Sequence, residues 1–238
     1  MGLHQILSVP TRTRCLSSRV TTEMERELSF IMTNVKMGNQ RRYQLWFQHR
    51  FLNTPESDML IVDLIRYICC VFHPPNHILA GNFTSRWAMV GWLLKTIKSQ
   101  QIEENARFAL IFDWLFCNKK ENVMNLEPAL LLMVHSIPKY MDITSSILEA
   151  IMQFDTVQHS ILGTPKEQIA QNVARAVEIV VLSGVVPSLL MLSECNKLDQ
   201  PLRDKLKKYF PRFTQPVQPG HPQQPQQQLQ QQQQHPIH

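Results

Sequence analysis

The sequence predicts an all-α protein, a stack of antiparallel helices followed by a Gln/Pro-rich tail. Three observations carry this. Apolar residues recur at helical spacing along most of the chain, as Leu28, Ile31, Met32 and Val35 do. Only 7 of 238 residues are glycine, too few for turn-rich β folds or for nucleotide folds with glycine loops. The predicted helices run about 12–18 residues between short connections, which suits antiparallel neighbours. No fixed-period repeat is visible in the sequence, which argues against a regular repeat array.

Residues 1–20 are mixed in character, with Arg12, Arg14 and Arg19 among Thr and Ser. A scaffold domain is expected over 21–213. Its first helix opens on Thr22-Glu23-Met24-Glu25, a capping-box pattern, and Gly38 closes it in the left-handed region. Asn39 is expected to cap a second helix with Tyr43, Trp46, Phe47, Arg50 and Phe51 on one side. Those aromatics read as a seam between helices, so Trp46→Ala is expected to cost roughly 3–5 kcal/mol and Arg41→Ala almost nothing. Thr54-Pro55 starts a third helix, which Pro74 and Pro75 forbid from continuing.

Asn76 to Asn82 reads as a turn. A helix over about 85–98 follows, with Trp87, Val90, Gly91, Leu94 and Ile97 on one face. Gly91 implies close approach by a neighbour, since glycine in a helix costs roughly 1 kcal/mol against alanine. The next helix, about 102–117, places Phe108, Phe112, Leu115 and Phe116 together, with Asp113 among them. Glu127-Pro128 opens another, ended at Ile137-Pro138. Helices over 142–154, from Thr164-Pro165 to Leu182, over 187–194 and over 200–210 complete the domain. From 214 to 238 the chain is Pro, Gln and His, which cannot build a core and is expected to be disordered.

The 24 basic and 19 acidic residues leave +5, a mild excess that permits an acidic partner without demanding one. The five cysteines are odd in number and lie mostly in apolar helical runs, the pattern of reduced, buried thiols. The N-terminus lacks a secretory pattern, Ile6 stands where myristoylation needs Ser or Thr, and no run of ~18 apolar residues suggests a membrane span.

Several groups invite chemistry. Cys69, Cys70, His73 and His77 are metal-ligand types, but adjacent cysteines on a helix diverge and the paired-cysteine spacing is absent. They read as buried thiols and loop histidines. Asp63 and Arg66 are spaced to pair on one helix face. A buried Asp113 would need a cation, for which Arg66 and Arg86 are the candidates. These four read as structural polar contacts, not as catalytic groups. Arg41, Arg42 and Arg50 are the candidate partner or nucleic-acid surface. Lys205, Lys207 and Lys208 suit a helix C-terminus. No phosphate loop, paired-histidine motif or serine elbow is present, so neither enzyme activity nor a cofactor nor a bound metal is expected.

Five blocks carry a resemblance: RRYQLWFQHRFLNTPESDMLIVDLIRYICCVFHPPN, SRWAMVGWLL, LIFDWLF, MNLEPALLLMVHSI and KLDQPLRDKLKKYFPRF. In this order they resemble the Integrator complex subunit 3 family, whose members also form the scaffold of the SOSS complex, the sensor of single-stranded DNA. The resemblance implies a HEAT-like superhelical scaffold without catalysis. It implies a SOSS-B-like OB-fold single-stranded-DNA-binding partner and a SOSS-C-like small subunit, with single-stranded DNA contacted indirectly. It further implies a nuclear location (the cytoplasm is the alternative), the DNA-damage response including homologous recombination, and Integrator processing of small nuclear RNA 3′ ends. Family members are several times longer, so this chain matches only the later part of their N-terminal helical region. Other Integrator subunits are expected as partners only where the C-terminal half exists. The alternatives are a direct single-stranded nucleic-acid binder through a basic helical face and a non-functional truncated paralogue.

Overall fold

A computed structural model of the protein describes residues 19–54, 57–156 and 166–215. Expectations for the first 18 residues, for Pro55, for the Thr164-Pro165 cap and for the tail from 216 onward lie outside the described residues. Among the described residues eleven α-helices form: α1 (Thr22–Asn34), α2 (Arg41–Phe51), α3 (Asp58–Cys70), α4 (Asn76–Leu79), α5 (Arg86–Thr96), α6 (Gln100–Leu115), α7 (Val123–Ser136), α8 (Met141–Thr156), α9 (Lys166–Leu182), α10 (Leu190–Ser193) and α11 (Gln200–Tyr209). There is no strand among them, only one isolated bridge between Lys36 and Phe83. The protein is all-α.

Helix α3 is the centre. It is apolar almost all round, and Leu64, Ile65, Ile68 and Cys69 are fully buried. A helix of that kind must be enclosed by others. α6, α5 and α7 enclose it, and α9 then packs on α6 and α7. α7 and α8 form the next pair, and α11 closes against α8 and α10. In α1 the expected stripe Leu28, Ile31, Met32 and Val35 is buried. Gly38 sits at φ +96°, the left-handed geometry expected of it.

Local starts differ from the sequence reading by small, physical margins. Thr21, one residue earlier than expected, caps α1, its Oγ1 accepting from the Met24 amide at 3.3 Å. Gln40 and not Asn39 precedes α2; its carbonyl accepts from Gln44, and its side chain takes the Gly38 amide instead of capping. Residues 76–79, expected as a turn, form the single helical turn α4. α7 starts at Val123, capped by Asn122, so Pro128 lies inside the helix instead of opening it. Proline there removes one backbone donor, a defect tolerated because the packing around α7 holds it.

Three faces are rotated from their expected positions. In α2 the buried positions are Gln44 and Phe47, while Trp46 is 48% exposed. The Gln44 amide donates to Met89 Sδ at 3.5 Å, so a polar side chain takes the core place expected for tryptophan. In α5 the buried face is Arg86, Met89, Val90, Gly91 and Leu93; Trp87, Leu94 and Ile97 flank it. In α6 the seam is Ala106, Ala109, Leu110 and Trp114, while Phe108 and Phe112 lie outside. Gly91 meets its expectation: a Cβ added there would stand 2.9 Å from Leu132 Cδ1 on α7.

Three stability outcomes follow from the packing. Phe47→Ala should cost about 3–5 kcal/mol by leaving a cavity, whereas Trp46→Ala should cost about 1 kcal/mol or less. Gly91→Val should cost about 1–3 kcal/mol by forcing α5 from α7. Urea denaturation of the four proteins, wild type included, measures all three.

Candidate functional site

The polar residues singled out in the sequence separate into a buried set and a surface set. Arg66 on α3 forms a forked pair with Asp113 on α6, Nη1 to Oδ2 at 2.8 Å and Nη2 to Oδ1 at 3.2 Å. Its Nη1 also donates to the Ala109 carbonyl at 2.9 Å. Two parallel bonds to one carboxylate fix the rotation of α3 against α6. The Phe112 ring lies 5.1 Å from the Arg66 guanidinium and covers it from solvent. Burial, the largest influence, pulls the Arg66 pKa down, but the Asp113 charge, the hydrogen bonds to it and the neighbouring Cys70 and Cys69 together leave it above its ordinary value.

Asp63 does not pair with Arg66. It faces Arg19, with Nε 3.6 Å from Oδ2. Burial raises its pKa and Arg19 pulls it back. Arg66 instead reaches Asp113, which offers it both oxygens.

Arg86 turns away from Asp113 to Glu127 on α7, with Nη2 to Oε1 at 2.5 Å and both side chains buried. Its Nη1 donates to the carbonyls of Ile68, Cys69 and Phe72 at 3.3–3.4 Å, around the end of α3. One guanidinium thus joins the start of α5, the end of α3 and the middle of α7. A cation there also complements the α3 dipole. The sequence pattern hides Glu127 as a partner, because Glu-Pro reads as a first turn. The available signal is a lone acid inside the apolar run NLEPALLLMV.

The four metal-type residues diverge. Cys69 is buried, and burial pushes its pKa up to about 12. The Cys70 thiol donates to Asp113 Oδ2 at 3.1 Å. His73 pairs with Asn125 at 2.9 Å, and His77 is exposed. Among the described residues no three metal-ligating side chains cluster.

The surface set lies on the outer face of α2. Two rows run along it, Arg41–Leu45–His49 and Arg42–Trp46–Arg50, with partners four residues apart. All six are exposed, and α2 contains no acidic residue. Arg42 lies 4.6 Å from the Tyr43 ring centroid, and Arg50 lies 5.7 Å from that of Phe51 and 3.6 Å from Glu23. Phe30 of α1, also exposed, extends the patch through its contact with Tyr43 at 5.9 Å. The result is a cationic frame around an apolar centre, held by a rigid helix.

This is a helical scaffold with buried ion pairs in its core and an apolar, basic surface face. No helix among the described residues is long and apolar enough to cross a membrane. The family described as Integrator complex subunit 3 N-terminal matches residues 1–208, and the chain belongs to that family. It is 42% identical over 210 residues to the Integrator complex subunit 3 homolog of Dictyostelium discoideum, covering 88% of this chain and 14% of that protein. It is 40% identical over 214 residues to Integrator complex subunit 3 of Danio rerio, covering 89% of this chain and 21% of that one. The Drosophila erecta homolog is 37% identical over 216 residues, covering 90% of this chain and 20% of that protein. The chain therefore spans about a fifth or less of the length of these curated relatives.

The buried pair generates a test. Glu127→Ala should cost about 3–5 kcal/mol, because Arg86 is left buried without its counter-charge. Adding Arg86→Met should cost less than the sum of the two single changes, with a coupling of about 1 kcal/mol or more in urea denaturation. The thiols give a second. Cys69, and Cys117 with its pKa likewise pushed up to about 12 by burial, should resist a thiol reagent near pH 8 until the protein unfolds.

Proposed function

We propose that the chain is a non-catalytic scaffold unit, with 21–213 as one domain, that serves an Integrator or SOSS assembly in the nucleus. Its partners in this reading are a SOSS-B-like OB-fold protein that binds single-stranded DNA and a SOSS-C-like small subunit. The work served is DNA-damage repair and the processing of small nuclear RNA 3′ ends. Family membership supports the assembly. The outer face of α2 is the observation that supports a docking role. Leu45 and Trp46 are large, apolar and exposed on a helix whose other side is fixed in the core. Half-exposed tryptophan and arginine are the residue types that dominate binding energy at protein interfaces. The charged residues of the core are tied into ion pairs with structural partners, which supports a role in holding shape.

Co-expression with an OB-fold single-stranded-DNA-binding protein tests this. Trp46→Ala combined with Arg42→Glu should weaken co-purification about tenfold or more while the unfolding midpoint stays close to wild type. Retention of the partner at full strength by that variant would remove the α2 face from the interface.

One observation favours a second reading. Trp46 is exposed among three arginines, and exposed aromatics beside arginine are what single-stranded nucleic acid stacks upon. Fluorescence anisotropy with a labelled single-stranded oligonucleotide and the chain alone decides it. Direct binding would fall steeply with salt and be lost with Trp46→Ala. A flat titration leaves the protein-docking role.

A further inference from the structure

Two arginines stand where helix stability alone would not place them. Arg41 and Arg42 lie in the first turn of α2, and that turn holds no acidic residue. The start of a helix is the positive end of its dipole, so a carboxylate is stabilising there and a cation is not. Both side chains are exposed, and neither has an acidic partner among the described residues. Arg42 donates to the hydroxyl of the neighbouring Tyr43. Positive charge therefore gathers at this end of α2 without a use inside the fold. At the other end His49 and Arg50 are exposed as well. Arg50 meets Glu23 at 3.6 Å, with the two side chains 59% and 43% exposed. An ion pair so open to water is worth little and gives way to another carboxylate.

Between these ends the surface is apolar. Leu45 and Trp46 are 46% and 48% exposed, and Phe30 of α1 is 43% exposed beside them. Each row along α2 thus runs basic, apolar, basic, with a step of about 6 Å for four residues. A complementary partner must alternate in the same way. A nucleic-acid strand carries a phosphate at every nucleotide, which would set charge against Leu45 and Phe30 as well as against the arginines. A polypeptide can place carboxylates and large apolar side chains by turns. The charge at both ends selects acids, and the centre selects a leucine or an aromatic ring.

We propose that the outer face of α2 receives an acidic polypeptide segment carrying large apolar side chains. Its carboxylates pair with Arg41, Arg42 and Arg50, and its apolar groups cover Leu45, Trp46 and Phe30. The inference rests on the reading of this face as a docking surface and adds the chemistry of what docks.

The test is an NMR titration of the full chain, followed at the α2 amides and the Trp46 indole N–H. The probe is N-acetyl-Glu-Glu-Leu-Phe-Glu-Glu-amide. The controls are its analogue with lysine for every glutamate, its analogue with serine for Leu and Phe, and a short oligothymidine of equal net charge. Saturable shifts are expected with the acidic, apolar peptide, at an affinity about tenfold or more above that of each control. Reversing the charge with Arg41→Glu and Arg42→Glu together should weaken that peptide about tenfold or more and make the lysine analogue the tighter ligand. The unfolding midpoint of this variant should hold or rise, because acids suit the first turn of a helix. Absence of saturable shifts, equal affinity for the serine analogue or the oligothymidine, or indifference to the charge reversal would each overturn the proposal. An OB-fold partner retained at full strength by the Trp46→Ala and Arg42→Glu variant, with the peptide shifts intact in wild type, would overturn the proposed use of this face and leave the inference standing. Loss of the partner from that variant, with no peptide shifts in wild type, would overturn this inference alone.

Discussion

A helix that ends inside a protein leaves backbone carbonyls without partners, and the architecture of this chain follows from how those carbonyls find donors. They find them on side chains of other helices and their approaches, later in the chain. The Thr84 hydroxyl donates to the Val35 carbonyl just past α1 at 2.9 Å. Arg86 serves three carbonyls around the end of α3. Asn172 of α9 donates to Leu115 at the end of α6 at 2.8 Å, with Arg175 on Cys117 at 3.1 Å. Thr144 of α8 donates to Met133 in the last turn of α7 at 2.8 Å. Hydrophobic packing brings the helices together without fixing their rotation or offset. These directional bonds supply both, and Arg86 is the densest of them because it also holds Glu127.

Such a framework suits a protein whose work is done by its surface. The buried charges face one another, Arg66 with Asp113 and Arg86 with Glu127. The outside of α2 presents arginines and large apolar groups on a helix locked from behind by Phe47 and Gln44. An interface built on a rigid element loses little freedom on binding, which favours affinity for a given contact area. That face lies within a segment about a fifth or less as long as the relatives it matches.

The all-α class was legible in the sequence because it rests on local signals: the apolar period, the caps and the scarcity of glycine. The stripe Leu28–Ile31–Met32–Val35 and the close approach at Gly91 stand where those signals put them, whereas Arg66 is by sequence only one of two candidates for Asp113 and is also spaced to pair with Asp63. Trp46, Phe108 and Phe112 do not stand where they are expected, for a common reason. Hydrophobicity alone does not choose between neighbouring faces of an aromatic-rich helix, and in the fold Phe47 and Trp114 take the core places, with Gln44, Ala106 and Ala109 beside them. Glu127 was hidden by a wrong helix start, since Glu-Pro normally marks a first turn. The cross-helix capping was beyond reach of the sequence, because Asn172 and Leu115 meet only when the fold is complete.

Native-state amide hydrogen exchange in Arg86→Lys tests the capping account most directly. Lysine keeps the charge but cannot span the α3 carbonyls and Glu127 together. Protection should fall jointly in the last turn of α3, the first turn of α5 and the part of α7 around Glu127, while α1 and α11 keep theirs. Loss confined to the first turn of α5, with α3 and α7 as protected as in wild type, would contradict the account.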